Sequence, residues 1–241
     1  MNSKFGNMSS ESAPKVDASS ATKRATKKVE TPEWVVYYNL LSGSLWALVL
    51  FNIVVVPIVF GDEILFPMTS NVLIGVQTLA IIEVYNSAVG NVKSPVFTTA
   101  MQVASRYLIV WGIFYALPEA PSNYHWCYKS LNFAWAITEV IRYYYYAQNT
   151  LTNGNPPKIL TLLRYNAFIV LYPIGVASEM LTCYLAADEA ALVVGRWYAV
   201  LLRGILIVYP PGLFVLYTHM LKQRKKVMKS LREDATKEKY N

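Results

Sequence analysis

The chain has 241 residues, of which 54% are hydrophobic and 15% are charged, with a net charge of +7 and a mean hydropathy of +0.30. This composition is too apolar for an ordinary soluble domain and indicates a membrane protein. The basic residues cluster towards the two ends of the chain and are not interleaved with aromatic residues along a folded surface. A nucleic-acid partner is therefore not expected.

A polar segment precedes the apolar part of the chain. Residues 1–36 are rich in Ser, Ala, Thr and Lys, and almost no large apolar side chain occurs before Trp34. Such a segment buries too little apolar surface to offset the conformational entropy lost on ordering. We therefore predict a disordered cytosolic tail over residues 1–36.

Apolar windows of about 20 residues, the length that a helix needs to cross a bilayer, recur through the rest of the chain. Continuous apolar runs favour helices over the alternating strands of a membrane β-barrel. Because Glu83, Asn86 and Ser87 dilute the second window, five crossings remain an alternative. We predict an all-α, polytopic membrane helix bundle over 37–220, with six transmembrane helices at residues 37–60, 70–92, 97–117, 129–149, 161–186 and 196–218.

The distribution of cations predicts the orientation of this bundle. Lysines and arginines are concentrated in the tail 1–36 and in the basic segment 221–241, so both termini are expected to be cytosolic. The ending "KEKYN" places Lys237 and Lys239 in a K-x-K-x-x dilysine pattern, which is read from the cytosol. It predicts a multi-pass protein of the endoplasmic reticulum membrane, although two lysines could also occupy these positions by chance.

The cysteine, histidine and glycine patterns do not indicate a cofactor or a metal, and we expect none. Cys127 and Cys183 fall near the predicted luminal side, where a disulfide is allowed, but the sequence cannot pair them. Two histidines far apart in the chain argue against a metal site. Gly204 and Gly212 are interpreted as positions where helices pack closely.

Several ionisable residues lie inside the apolar windows. A charge within the membrane is costly, so each should face the bundle interior and have a partner. Estimated depths pair Glu179 with Arg203 and place Glu83, Arg106 and Arg142 together. For any one of these residues taken alone, an ion pair that holds the bundle together is the preferred interpretation. The residues are Glu83, Arg106, Glu139, Arg142, Arg164, Glu179 and Arg203.

Tyr172 and Glu179, in the segment "RYNAFIVLYPIGVASE", differ from the other polar residues in their spacing. Seven residues make nearly two helical turns, so both side chains project from one helix face, roughly 10 Å apart along the axis. Pro173 disturbs the helix between them, and Gly175 allows a close approach. A phenol and a carboxyl on either side of a reacting carbon can act as a proton-transfer pair.

Four segments together carry a family resemblance: "RYNAFIVLYPIGVASE", "EVYNSAVGNVKSP", "QVASR" and "TEVIRYYYYA". Over roughly residues 35–228, the chain resembles the very-long-chain (3R)-3-hydroxyacyl-CoA dehydratase family, also called protein-tyrosine-phosphatase-like membrane proteins. One departure is Asn86-Ser87, where many relatives have His-Cys. The resemblance implies catalysis by Tyr172 and Glu179, with supporting or substrate-binding roles for Glu83, Gln102, Arg106, Arg142, Arg164 and Gly175.

The resemblance also implies the reaction, the third step of fatty-acid elongation, in which a long-chain 3-hydroxyacyl-CoA loses water to give the trans-2-enoyl-CoA. Membrane lipids and the other elongation enzymes, a condensing enzyme and reductases, are the implied partners. We assign Tyr172 as base, assisted by Arg106, and Glu179 as acid, although the sequence leaves the reverse assignment open.

Two arginines near the predicted cytosolic boundary are expected to meet the CoA phosphates. For Arg142 and Arg164, snorkelling to the membrane interface is an equal alternative. The run Tyr143–Tyr146 is interpreted as an interfacial aromatic belt. A small transporter and a non-catalytic scaffold of the elongation complex remain alternative functions for the whole chain.

Overall fold

The computed structural model describes residues 31–92 and 94–240, apart from the side chains of residues 234, 235 and 237–240. Within these residues the regular structure is entirely helical, as the sequence predicts. Most of the predicted N-terminal tail and the side chains of the dilysine pattern lie outside the described part.

Eight α-helices follow one another in the described chain. They are α1 (Glu33–Phe60), α2 (Leu65–Thr78), α3 (Ile81–Ala88), α4 (Val96–Ile109), α5 (Trp126–Leu151), α6 (Lys158–Asn166), α7 (Phe168–Val193) and α8 (Arg196–Tyr240). Short 3₁₀ turns cover Asp62–Ile64 and Pro121–Asn123, and a π-helical turn, Val110–Tyr115, extends α4. The six predicted windows are therefore confirmed as helical. The second window is divided between α2 and α3, and the fifth between α6 and α7.

Four helical segments of the described chain are long and apolar enough to cross a membrane. They are Glu33–Phe60, Asp62–Ala88, Phe168–Val193 and Arg196–Glu233. The predicted crossings at 97–117 and 129–149, which correspond to α4 and α5, are not among them. Both helices carry charged residues, Arg106 in α4 and Lys129, Glu139 and Arg142 in α5, and these dilute their hydropathy.

Helix α5 lies at the centre of the bundle, because it packs against α1 on one side and α7 on the other. Ile53 of α1, Tyr128 of α5 and Ala187 of α7 belong to the buried core. Large apolar side chains also point outward, with Ile58 78% exposed and Leu192 82% exposed. An apolar outer surface of this kind suits contact with lipid rather than with water.

The chain leaves regular helix at Leu79 and Ala80, between α2 and α3. Tyr107 donates to the carbonyl of Thr78, and Tyr38 donates to the carbonyl of Leu79 across 3.2 Å. A break inside a membrane helix is tolerated where its freed backbone groups find such partners. Two tyrosines from neighbouring helices therefore stabilise the break next to Gln77.

Helices α7 and α8 form an antiparallel pair joined by a two-residue turn. Gly195 in that turn has φ +128°, a conformation that favours glycine. Helix α7 continues through Pro173, whose missing N–H leaves the carbonyl of Ile169 without its helical partner. The hydroxyl of Tyr217 in α8 donates to that carbonyl across 3.3 Å. The expected disturbance at Pro173 is thus compensated by the neighbouring helix.

The interpretation of Gly204 and Gly212 as packing positions is wrong, because a Cβ on either would meet nothing within 4 Å. The close approach occurs at Gly112, where a Cβ would collide with the hydroxyl of Tyr198. That hydroxyl donates to the Gly112 carbonyl across 2.8 Å and fastens α8 to the π-helical turn. The two cysteines, Cys127 and Cys183, are both buried free thiols.

Candidate active site

A cavity of about 530 Å³ lies between α2–α3, α4, α5, α7 and α8. Its wall combines an apolar part with a group of ionisable and hydrogen-bonding side chains. The predicted site residues that line it are Glu83, Gln102, Arg106, Arg142, Tyr172, Gly175 and Glu179. The structure therefore brings together side chains that are far apart in the sequence.

The predicted proton-transfer pair lies on one face of α7, as the spacing requires, and both side chains border the cavity. The ring of Tyr172 stacks on that of Tyr217, with centroids 6.2 Å apart and planes inclined by 12°. The carboxyl of Glu179 accepts a hydrogen bond on each oxygen, from Trp135 Nε1 at 2.9 Å and from the Tyr209 hydroxyl at 2.8 Å. Helices α5 and α8 thus fix the positions of both groups.

The expected pair between Glu179 and Arg203 is wrong. Arg203 instead forms an exposed ion pair with Asp188 of α7. Helix α7 runs to Val193 rather than to the predicted end at 186. The residues of α8 that lie opposite a given residue of α7 are therefore not the expected ones. With the turn at Gly195, Arg203 faces Asp188, and Tyr209 faces Glu179.

A buried charge network forms the side of the cavity between α3, α4 and α5. Arg142 donates to both oxygens of Glu83, at 2.7 and 2.6 Å, and its Nε donates to Glu139 at 2.7 Å. Arg106 pairs with the other oxygen of Glu139, which is only 1% exposed. Two guanidiniums thus neutralise a carboxylate taken out of water, the arrangement that makes such burial tolerable. Arg106, expected to assist Tyr172, donates to Glu139 instead.

Trp135 connects this network to the predicted proton-transfer pair. The guanidinium of Arg106 lies 5.2 Å from the centroid of the Trp135 ring, within the range of a cation–π contact. The indole N–H of the same side chain donates to Glu179. A continuous series of contacts therefore runs from Glu83 through the arginines and the indole to Glu179.

Arg164 is not among the described residues that line the cavity. Its Nη2 donates to the hydroxyl of Tyr146 at 2.8 Å, and its guanidinium lies 4.8 Å from the ring centroid of Tyr145. These contacts agree with an arginine held in an interfacial aromatic belt. Tyr143 departs from the predicted belt, because it is 2% exposed and donates to Glu83.

Gln77, Trp135 and Tyr209 are among the polar or hydrogen-bonding side chains of the cavity wall that were not predicted from the sequence. Gln77 had a detectable signal, since it is a lone amide in the run "VLIGVQTLAII". Trp135 and Tyr209 had none, because an aromatic residue in an apolar helix is ordinary. Both side chains donate to Glu179, so their roles become visible only when α7 is placed next to α5 and α8.

These observations define a helical protein with four segments long and apolar enough to cross a membrane and with a candidate acid–base pair beside an internal cavity. The chain matches the family model described as "Protein tyrosine phosphatase-like protein, PTPLA" over residues 77–230, more than half of its length. The chain belongs to this family. The match includes Gln77, the charge network and the segment with Tyr172 and Glu179.

Relatives from three kingdoms agree with this assignment. A Schizosaccharomyces pombe protein named "Probable very-long-chain (3R)-3-hydroxyacyl-CoA dehydratase" is 41% identical, over 84% of this chain and 96% of its own. The Arabidopsis thaliana "Very-long-chain (3R)-3-hydroxyacyl-CoA dehydratase PASTICCINO 2" is 34% identical, over 83% and 95%. The Homo sapiens "Very-long-chain (3R)-3-hydroxyacyl-CoA dehydratase 2" is 32% identical, over 83% and 82%. No solved structure matches the chain.

Proposed function

We propose that the protein dehydrates long-chain (3R)-3-hydroxyacyl-CoA to trans-2-enoyl-CoA, the third step of the fatty-acid elongation cycle. The observation that carries this proposal is that Tyr172 and Glu179 border one cavity from the same face of α7. The names of the relatives support the substrate class.

The reaction needs a base for the C2 proton and an acid for the departing C3 hydroxyl. In the proposed assignment, Tyr172 takes the C2 proton and Glu179 protonates the hydroxyl, which leaves as water. Trp135 and Tyr209 hold the carboxyl in one orientation, so little ordering remains when the substrate binds. A positioned acid or base of this kind contributes about 10²–10⁴-fold to a rate.

The cavity wall suits an amphipathic substrate. Apolar side chains of α4 and α8 form one part of the wall, and the charge network between α3, α4 and α5 forms another. The acyl chain would lie against the apolar part, with the thioester and the 3-hydroxyl beside the polar groups. Arg164, held over tyrosine rings outside the cavity, is the arginine proposed to meet the CoA phosphates. The apolar side chains that α4 and α8 place on the wall include Phe97, Met101, Leu213, Leu216 and Met220.

We further propose that α4 and α5 cross the membrane too, which gives six crossings and two cytosolic termini. Helix α4 with its π-helical turn has 14 and 6 residues, and α5 has 26. At about 1.5 Å per residue, each reaches the roughly 30 Å of a hydrocarbon core. Because α5 is enclosed by α1 and α7, its charged residues Glu139 and Arg142 need not face lipid. Location in the endoplasmic reticulum and assembly with other elongation enzymes belong to the same proposal.

The direct test is an assay of the purified protein in detergent with a long-chain (3R)-3-hydroxyacyl-CoA. We expect the trans-2-enoyl-CoA to form, and the (3S) isomer to react far more slowly, because the acid and the base occupy fixed positions. The Glu179→Gln variant is the matched control for a contaminating dehydratase. A folded wild-type protein that forms no enoyl product would overturn the proposal and favour a scaffold.

A further inference from the structure

Gln77 is a buried amide on the cavity wall without a hydrogen-bond partner. The side chain is 1% exposed, and among the described residues neither its Nε2 nor its Oε1 has a partner. A buried amide normally satisfies both groups, and leaving them unpaired costs stability. An unpaired amide at a cavity wall therefore suggests a polar group of the bound substrate as its partner.

The fold does not use this amide to support the break that follows it. Tyrosine hydroxyls satisfy the carbonyls of Thr78 and Leu79, and the backbone carbonyl of Gln77 accepts from the N–H of Ala80 at 3.1 Å. The local structure is thus complete without the side chain. Its polarity lowers stability in the free protein, and this is a common property of functional residues.

The dehydration also needs a group that stabilises negative charge on the thioester carbonyl oxygen. When the base removes the C2 proton, the electron pair of the C2–H bond moves towards the thioester, and negative charge develops on the carbonyl oxygen. As the C3–O bond breaks, the pair returns to form the C2=C3 double bond. The hydroxyl takes the proton of the acid and leaves as water. Tyr172 and Glu179 move the two protons, and neither is assigned to the thioester oxygen.

We propose that the Gln77 side-chain amide donates a hydrogen bond to the thioester carbonyl oxygen of the substrate. This inference rests on the proposed dehydratase function and adds the group that stabilises the developing enolate. A donor already in place in a cavity shielded from water stabilises such charge efficiently.

Other donors on the wall fit this role less well. The guanidinium of Arg106 pairs with Glu139, and that of Arg142 is shared between Glu83 and Glu139. Gln102, the other amide on the wall, is exposed. The Gln77 amide has an N–H donor without a partner among the described residues and is shielded from water, so it fits the role better than these groups.

Two substitutions separate this role from a structural one. Gln77→Met keeps the approximate volume and removes both polar atoms, and Gln77→Leu removes the same atoms with a branched apolar side chain. We expect kcat to fall about 10²- to 10³-fold in both, the loss typical of one such donor. The melting temperature of Gln77→Met should equal or exceed that of the wild type, because an unpaired buried amide is gone.

The matched control is Asn132→Leu in α5. Asn132 is fully buried with an unpartnered Oδ1, but it lies outside the cavity wall, so its kcat should stay within about twofold of the wild type. Gln77→Met with kcat near the wild-type value would overturn the inference. A large drop in its melting temperature would overturn it too, because the amide would then serve the fold.

A substrate analogue tests the same contact without relying on a variant. A (3R)-3-hydroxyalkyl-CoA thioether has a methylene in place of the thioester carbonyl. We expect the wild type to bind it a few-fold to about tenfold more weakly than the matching thioester, and Gln77→Met to bind both equally. Equal loss of affinity in both proteins would exclude the contact. An inactive wild type would refute the proposed function itself, whereas an active wild type with an equally active Gln77→Met refutes only this inference.

Discussion

The indole Nε1 of Trp135 donates a hydrogen bond to Oε1 of Glu179 across 2.9 Å and so joins the central helix α5 to α7. The hydroxyl of Tyr209 donates to the other oxygen from α8. Three helices therefore determine where this carboxyl lies. The same indole lies under the guanidinium of Arg106, so the charge network and Glu179 of the proposed catalytic pair share one side chain.

Replacing Trp135 by Phe should slow turnover more than it weakens substrate binding. The variant keeps an aromatic ring and loses the donor to Glu179, so we expect kcat to fall about tenfold, in line with the loss of one hydrogen bond to a catalytic group. Steady-state kinetics with the purified protein would measure this. Trp111→Phe is the matched control, because its indole donates to Thr78 outside the cavity. Equal effects of the two changes would contradict a positioning role for Trp135.

Glu139 should be far more important for stability than Arg203. Glu139→Gln removes the negative charge between two partly buried guanidiniums, and breaking a buried ion pair costs about 3–5 kcal/mol. Arg203→Ala breaks a pair in which Asp188 is 90% exposed, so its cost should be at most about 1 kcal/mol. Thermal unfolding in detergent would compare the two variants. A large loss for Arg203→Ala would indicate that this arginine has another partner in the membrane.

The two arginines expected to bind CoA should behave differently from each other. Arg142→Ala breaks contacts with Glu83 and Glu139, so we expect a lower melting temperature as well as lower activity. Arg164→Ala leaves the network intact, and it should raise KM with little change in kcat or melting temperature. Both parameters can be measured on the same preparations. If Arg164→Ala leaves KM unchanged, its role is confined to the aromatic belt.

Features that depend on one helix can be predicted from the sequence, whereas features that depend on how two helices align cannot. The spacing of Tyr172 and Glu179 is a property of one helix, so helix geometry alone placed both on one face. The partner of Glu179 depends on where α7 ends. Because the predicted end was seven residues too early, Arg203 was the expected partner, whereas the structure has Tyr209 there. Gln77 was overlooked for a different reason. A lone amide in an apolar run is visible in the sequence, but its lack of hydrogen-bond partners is visible only once the surrounding helices are placed.

The number of crossings can be tested with glycosylation acceptor sites in two loops. With six crossings and cytosolic termini, the loop 116–125 is luminal and the loop 152–157 is cytosolic. If α4 and α5 did not cross, both loops would lie on the same side. We expect an acceptor sequence inserted in the first loop to be glycosylated and the same sequence in the second to remain unmodified. Gel mobility with and without deglycosylation measures this, and tags at the two termini should both be accessible from the cytosol. An unmodified first loop, in a protein that inserts normally, would leave four crossings as the better description.

The proposed catalytic pair, Tyr172 and Glu179, should show strong non-additivity. Tyr172→Phe removes one hydroxyl and Glu179→Gln removes the transferable proton, while each nearly keeps the shape of the side chain. Both variants should fold and bind acyl-CoA, with kcat lower by about 10²–10⁴-fold. Because the two groups serve a single elimination, the double variant should be scarcely slower than either single one. Tyr198→Phe, which removes a hydroxyl bonded to the Gly112 carbonyl, is the matched control and should cost some stability but little activity. Near-normal dehydration by Tyr172→Phe or Glu179→Gln would refute the assignment of that residue. Retained activity in both would mean that other groups on the cavity wall transfer the protons.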